Sequence, residues 1–278
     1  MSVRITEFSR DGLTFDVLDE GPEDGDPVVL LHGFPERATV WRDVAPLLHA
    51  AGLRTYALDL RGYSPRARPR GRRQYRLSLL AGDVAALIDR IGAPVHLVGH
   101  DWGAIIGWRV AGEHPDRLRS WTAVSVPHLR AYFRSTLRST QGLKSWYILL
   151  FQLPFLMEAV LGLAPGVFLF AMRRGGMSGE EVQRCRREFL EAGALPGALG
   201  MYRALPLMGR ASRTDVRVPT TMVWSDDDIA LGRLGVELTA EHVHADYEFV
   251  ELPGVTHWIP TQAPEALAAA IVRRASST

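Results

Sequence analysis

Cysteine is almost missing from this chain. Its one thiol, Cys185, excludes an internal disulfide framework and suits a reducing compartment. The neighbouring Arg184, Arg186 and Arg187 would favour a lowered thiol pKa, but no surrounding pattern marks Cys185 as a nucleophile. Excess charge is missing too. A formal net charge of +1 gives no global field for nucleic acid or an acidic partner. No unbroken apolar stretch reaches the length of about 20 residues that a spanning helix requires. The most apolar segment, Ile148 to Met172, is interrupted by Gln152, Pro154, Glu158 and Pro165. It reads as helices lining an apolar pocket, with contact at a membrane surface the lesser alternative and stable insertion not expected. Met1 to Gly12 is polar and lacks a signal-peptide core, which points to the cytoplasm. No internal repeat, dinucleotide fingerprint or metal-ligand spacing is present, so neither a metal nor a cofactor is implied.

What the chain does contain is alternation. Its 278 residues, 47% hydrophobic and 23% charged, fit one large α/β domain or a core with an insertion. Ile5 to Phe8 and Leu13 to Leu18 flank Asp11-Gly12 and predict an opening hairpin. Val28 to Leu31 is a short apolar run suited to a strand buried on both faces. A helix is expected over Trp41 to Ala51 and a strand over Leu53 to Leu60. Between them and the next helix lies an arginine-rich loop, Arg61 to Arg76, read as a solvated stretch. Leu80, Val84, Leu87, Ile88 and Ile91 share one face of a helix over Leu77 to Ile91. An apolar strand starting at Val95 runs into the turn that opens at Gly99, and another strand follows at Arg119 to Val126, with a helix between them reaching about His114. Then the rhythm breaks. From His128 to about Arg213 the pattern is helical and strandless, and strands resume at Val218 to Trp224 and Tyr247 to Leu252, before a last helix over Ala263 to Arg274. The expectation is a mostly parallel sheet flanked by helices, with a core formed by 1–127 and 214–278 and a helical cap, 128–213, inserted in it.

The chemistry centres on Gly99-His100-Asp101-Trp102-Gly103. An apolar strand running through Gly-x-Asp-x-Gly into a helix has the form of a nucleophile elbow, which holds one side chain on a sharp turn above a sheet. The residue at its centre is a carboxylate rather than Ser or Cys, so the implied chemistry is alkyl transfer to Asp101. Such a nucleophile needs a base to activate water, an acid to orient the base, and donors for the oxyanion. Useful groups lie at the carboxyl ends of parallel strands. There the chain offers the Ser225-Asp226-Asp227-Asp228 cluster, then His257 in the loop after the last strand, in the order nucleophile, acid, histidine. The turn His32-Gly33-Phe34-Pro35 offers the Phe34 amide, and the elbow that of Trp102; Pro35 has no N–H to give.

His32-Gly33-Phe34-Pro35-Glu36, the elbow, the acid cluster and His257 together resemble the α/β-hydrolase superfamily, most of all its epoxide hydrolase branch, over essentially the whole chain. The resemblance implies Asp228 as the acid, with Asp226 its substitute. Ser145 to Gln152 is similar to the family's first cap-tyrosine segment and Met201-Tyr202-Arg203 to its second, which maps the epoxide-activating tyrosines onto Tyr147 and Tyr202. It also implies Phe34, Pro35, Trp102, Phe151 and Trp258 around a small hydrophobic epoxide that reacts with water. Three positions depart from the family pattern: Gly200 for Asp or Asn, Ser64 for Gly, and Ser225 for Gly. They suggest a divergent subgroup. The alternatives are a haloalkane dehalogenase, against which Phe34 counts because its side chain offers no halide donor, and a non-catalytic binding protein. The cap is a surface on which a homodimer could form, although no interface is legible.

Overall fold

The computed structural model describes residues 4–208 and 214–278. The chain forms eight strands: β1 (Glu7–Arg10), β2 (Leu13–Glu20), β3 (Asp26–Leu31), β4 (Leu53–Leu58), β5 (Val95–His100), β6 (Leu118–Val124), β7 (Thr220–Ser225) and β8 (Tyr247–Leu252), among the described residues. They make one sheet in the order β1-β2-β4-β3-β5-β6-β7-β8. β1–β2 and β2–β4 pair antiparallel, and the remaining pairs are parallel. The opening hairpin turns at Asp11 and Gly12, both at positive φ, as a tight two-residue turn requires. β3 has β4 on one side and β5 on the other, so the chain reverses its direction of progress across the sheet there. The crevice beyond such a reversal is where open α/β sheets bind ligands.

In the core the main helices are α1 (Ala45–Ala50), α2 (Leu77–Ile91) and α3 (Trp102–Glu113). Between β6 and β7 the described residues are helical, with α4 (Leu129–Thr136), α5 (Gln141–Lys144), α6 (Trp146–Phe151), α7 (Leu156–Leu163), α8 (Pro165–Arg174), α9 (Gly179–Cys185) and α10 (Leu195–Ala204). The expected boundary at Arg213 lies outside the described residues. α11 (Arg233–Glu237), α12 (Ile259–Gln262) and α13 (Pro264–Ser276) complete the chain. Buried aliphatics fill both faces of the sheet: Val29, Leu31 and Leu97 face one cluster, and Val28, Leu30 and Val98 the other. That is why these strands read as continuous apolar runs.

Three details differ from the sequence reading. The helix expected over Trp41 to Ala51 is split into a 3₁₀ turn, Ala38–Asp43, and α1. Pro46 explains the break, since a residue without an N–H is tolerated only in a first turn. β4 ends at Leu58, and just beyond it the Asp59 side chain turns to the loop after β3, its Oδ1 accepting the Ala38 amide at 2.8 Å. The arginine loop is not uniformly solvated. Arg61 is buried and grips Asp83 through two bonds of 2.7 Å, and Arg68 donates to the carbonyls of Tyr63 and Ala192. Two paired charges are thus buried between the loop and α2.

Removing one partner of such a pair strands the other. Asp83→Ala is expected to destabilise the fold by about 3–5 kcal/mol, read from urea unfolding. A change no larger than that of an exposed ion pair would contradict the burial of Arg61.

Candidate active site

Backbone contact builds the elbow. Asp101 sits at φ 50° between β5 and α3. A Cβ on Gly99 would lie 2.4 Å from the Gly103 carbonyl oxygen, and one on Gly103 would lie 2.2 Å from that of Leu31. One on Gly33 would meet the Asp101 Cβ at 2.3 Å. Only glycine lets the β3 turn, the β5 end and the α3 start converge this closely, and a non-glycine residue at positive φ costs on the order of 1–3 kcal/mol, repaid by that packing. Because β3 and β5 are neighbours, with Leu31 opposite Gly99, the turn after β3 meets Asp101. The Phe34 amide donates to Asp101 Oδ1 at 2.7 Å. Trp102 stands at the first helical position, where an amide has no carbonyl partner within the helix. Among the described residues no bond from it to the Asp101 carboxylate is found.

The pairing of β7 with β8, Ser225 opposite Leu252, brings the acid loop to His257. His257 Nδ1 lies 2.8 Å from Asp228 Oδ2, and its Nε2 lies 3.6 Å from Asp101 Oδ2. The other Asp228 oxygen accepts the amides of Ala230 and Leu231 at 2.8 and 2.9 Å, so this buried carboxylate is fully engaged. Asp226 instead accepts the Gly254 amide at the surface. Asp228 is therefore the acid that touches His257. Burial alone would lower the His257 pKa, but the carboxylates of Asp228 and Asp101 outweigh it and hold the imidazole well above its usual value. For Asp101, burial would raise the pKa; the His257 bond and charge, with His100 and the Phe34 amide, leave it below the usual carboxylate range. Both shifts favour an imidazolium beside a carboxylate.

Tyr147 on α6 and Tyr202 on α10 line one cavity of about 460 Å³ with Asp101 and Trp102, and their ring centroids are 6.2 Å apart. Burial, then the nearby Asp101 charge, pushes both phenol pKa values upward, so both stay neutral donors. The tyrosine helices are tied to each other: Gln152 donates to the Tyr202 carbonyl at 2.8 Å, and Arg203 to that of Phe151 at 3.1 Å. Of the five residues expected around substrate, the cavity wall includes Trp102 alone. The Phe34 and Phe151 rings are spent on each other and on Tyr202 in an aromatic cluster. Pro35 faces the charged side of its loop, beside Glu36 and Arg184. Trp258 donates its indole N–H to the Gly175 carbonyl at 2.9 Å, bracing the end of α8. Nor does Ile148 to Met172 line the pocket as a whole. Ile148 and Leu149 do, whereas Phe155, Leu163 and Phe170 face outward.

Several supports were not anticipated from the residue pattern. His100 donates to the His257 carbonyl at 2.9 Å, and its other nitrogen lies 3.4 Å from the buried Glu36 carboxylate. Gln141 accepts the Gly232 amide and donates to the Ala230 carbonyl, both at 2.8 Å, while Lys144 donates to the Asp228 carbonyl at 2.6 Å. The turn preceding Tyr147 is thereby fastened to the acid loop. These pairs span 84 to 157 residues of chain, apart from the Glu36–His100 contact, and no local signal connects them. At Cys185 burial, aided by Glu36, pushes the thiol up to about 12 despite the adjacent Arg184. The three departures from the family pattern also have local reasons. At Gly200 a Cβ would lie 2.7 Å from the Tyr75 ring, which leaves no room for a carboxylate. Ser64 accepts the Asp16 amide and donates to the Asp59 carbonyl. Ser225 donates to the Thr256 carbonyl at 2.8 Å, joining the acid strand to the histidine loop. Among the described residues no group of His, Cys, Asp and Glu side chains is arranged to hold a metal ion.

Comparison with known proteins gives a family model described as "Alpha/beta hydrolase family", which matches residues 28–270. The chain is 32% identical to Epoxide hydrolase A of Mycobacterium tuberculosis, covering 94% of each protein. It is 32% identical to Epoxide hydrolase 2 of Caenorhabditis elegans, over 89% of this chain and 73% of that protein. An AB hydrolase superfamily protein of Bacillus subtilis is 33% identical, with 94% of each covered. Among solved structures, an epoxide hydrolase of Vigna radiata superposes with a TM-score of 0.83 at 28% identity, covering 98% of this chain and 97% of that one.

Asp101 holds the His257 proton in place, so removing its charge should release it. In Asp101→Asn the His257 pKa is expected to fall, followed by NMR titration of the imidazole; an unchanged midpoint would show that Asp228 alone sets it.

Proposed function

The chain belongs to the α/β hydrolase family, and from that premise we propose that it opens a hydrophobic epoxide to a vicinal diol through a covalent ester on Asp101. The observation that carries this reading is the placement of two phenols and the elbow carboxylate on one apolar cavity. Residues 128–213 act as a cap on a core of 1–127 and 214–278, and bring the phenols over the carboxylate. The single buried cysteine is in keeping with the cytoplasm.

Asp101 Oδ1 is held by the Phe34 amide, which leaves Oδ2 to attack an epoxide carbon. The ring C–O bond breaks, and its oxygen takes a proton from Tyr147 or Tyr202. A phenol suits this step, since it is neutral at pH 7 yet acidic enough to meet a developing alkoxide. Esterification removes the negative charge of Asp101. His257 then loses one of the two carboxylates that raise its pKa, its proton passes to the phenolate that ring opening left, and the neutral imidazole becomes able to take a proton from water. That water attacks Asp101 Cγ while Asp228 holds the imidazole in orientation and the Phe34 amide, joined by that of Trp102, receives the oxyanion on Oδ1. Collapse releases the diol and restores the carboxylate. The wall of Ile105, Val126, Leu129 and Leu205 favours an apolar substrate, and the size of the cavity accommodates an aryl epoxide.

In heavy-oxygen water, a single turnover of an aryl epoxide should leave label in Asp101 and none in the diol, as read by mass spectrometry. Label in the first-turnover diol would remove the ester from the reaction. Changing both Tyr147 and Tyr202 to Phe should slow epoxide opening by about 10²-fold or more and leave ester formation from an alkyl bromide nearly unaltered; equal loss on both substrates would remove the reason for preferring epoxides. The two half-reactions also separate by pH. The lowered Asp101 pKa keeps the nucleophile ionised as pH falls, whereas ester hydrolysis needs neutral His257. Between about pH 7 and pH 5 the ester should therefore accumulate under pre-steady-state conditions; loss of ester formation over that range would contradict the assignment.

A further inference from the structure

Twelve of the sixteen exposed large apolar side chains among the described residues lie between Phe133 and Phe170. They form stripes rather than scatter. Leu143 on α5, Trp146 and Leu149 on α6, and Leu153 in the turn after α6 recur three or four residues apart. Leu156, Val160 and Leu163 do so on α7, and Leu163 is 89% exposed. On α8 the stripe is Val167 and Phe170, continued by Arg174 seven residues after Val167. α7 and α8 meet at 93°, and neither is long enough to cross a bilayer. A patch of this extent on a monomer marks a docking surface.

Charge decides what it docks to. From Ser139 to Met172 the only charged residues are Lys144 and Glu158, and Glu158 is neutralised by Arg203. At the borders stand Arg138 on one side and Arg173 and Arg174 on the other. Over 128–208 the sequence has ten Arg and Lys against five Glu and no Asp, although the whole chain is nearly neutral at +1. A second copy of the same face would bring its own basic border against this one, an unfavourable match across a two-fold axis. An anionic surface with an apolar interior answers both features. We propose that this face of the cap rests on anionic phospholipid bilayers, with the α5–α8 stripes in the headgroup boundary and the border arginines on lipid phosphates. Phe133 and Leu149 belong to both the exposed face and the cavity wall. On the epoxide reading above, a lipid-dissolved substrate would then pass into the cavity without crossing water.

The test is cosedimentation of the full chain with phosphatidylcholine vesicles, with and without phosphatidylglycerol, in the absence of any epoxide. It is thus independent of turnover. Binding is expected only to vesicles containing phosphatidylglycerol, and should weaken with added salt. Arg173→Gln with Arg174→Gln should lower the affinity about tenfold or more. Phe155→Asp with Leu163→Asp should abolish binding while leaving the melting curve in place. No binding to the anionic vesicles, or equal binding to phosphatidylcholine alone, would overturn the proposal. So would a dimer in analytical ultracentrifugation that the Phe155 and Leu163 changes dissociate, since a second copy would then cover the face.

Discussion

Holding a carboxylate at φ 50° above the end of β5 is possible only where three backbones nearly touch, and most of the site follows from that constraint. Gly33, Gly99 and Gly103 have no side chain because there is no space for one. Their closeness places the Phe34 amide on Asp101 Oδ1 and turns Oδ2 toward His257. The same crowding excludes bulk water, so the charges of Asp101, His257 and Asp228 act on one another at low dielectric and shift one another's protonation. A looser elbow would lose the alignment and the electrostatic coupling together.

The helical excursion contributes a different kind of order. Its two tyrosines come from helices more than forty residues apart in sequence, yet Gln152 and Arg203 lock those helices to each other, and Gln141 and Lys144 fasten α5, just before the first of them, to the acid loop. The loop that carries Arg61 and Gly62 packs backbone to backbone on α10, where a Cβ on Gly197 would lie 2.4 Å from the Gly62 Cα. Tyr202 is thus held from both sides. The outward face of α6 to α8 is unlike the rest of the molecule, apolar where a surface is normally polar, and basic at its border.

Much of this was legible in the residues. The strand pattern, the elbow, the helical stretch and His257 rest on short-range rules: period-two burial, glycine beside a strained turn, loops after strand ends. The apolar run Ile148 to Met172 was legible as helical but not as outward-facing, since hydrophobic content does not say which side a helix turns to the core. Phe151 and Trp258 were read as substrate contacts, and packing instead gave them to an aromatic cluster and to the Gly175 carbonyl. Gly200, Ser64 and Ser225 read as marks of divergence; in the fold each answers a neighbour, Tyr75, Asp59 and Thr256 respectively.

What the sequence by itself determined was which residue types stand at the elbow and after the later strands, and their order. A carboxylate at the centre of an elbow, with an acid cluster and a histidine after later strands, is a statement about residue type and chain position, and local rules suffice for it. Tertiary structure alone decided which acid touches His257 and what supports it. Asp226 and Asp228 are two residues apart and chemically identical, and only the path of the loop after β7 turns one toward His257 and the other toward Gly254. The contacts from His100, Gln141 and Lys144 likewise depend on strand order and helix docking, which bring together groups that the chain keeps far apart.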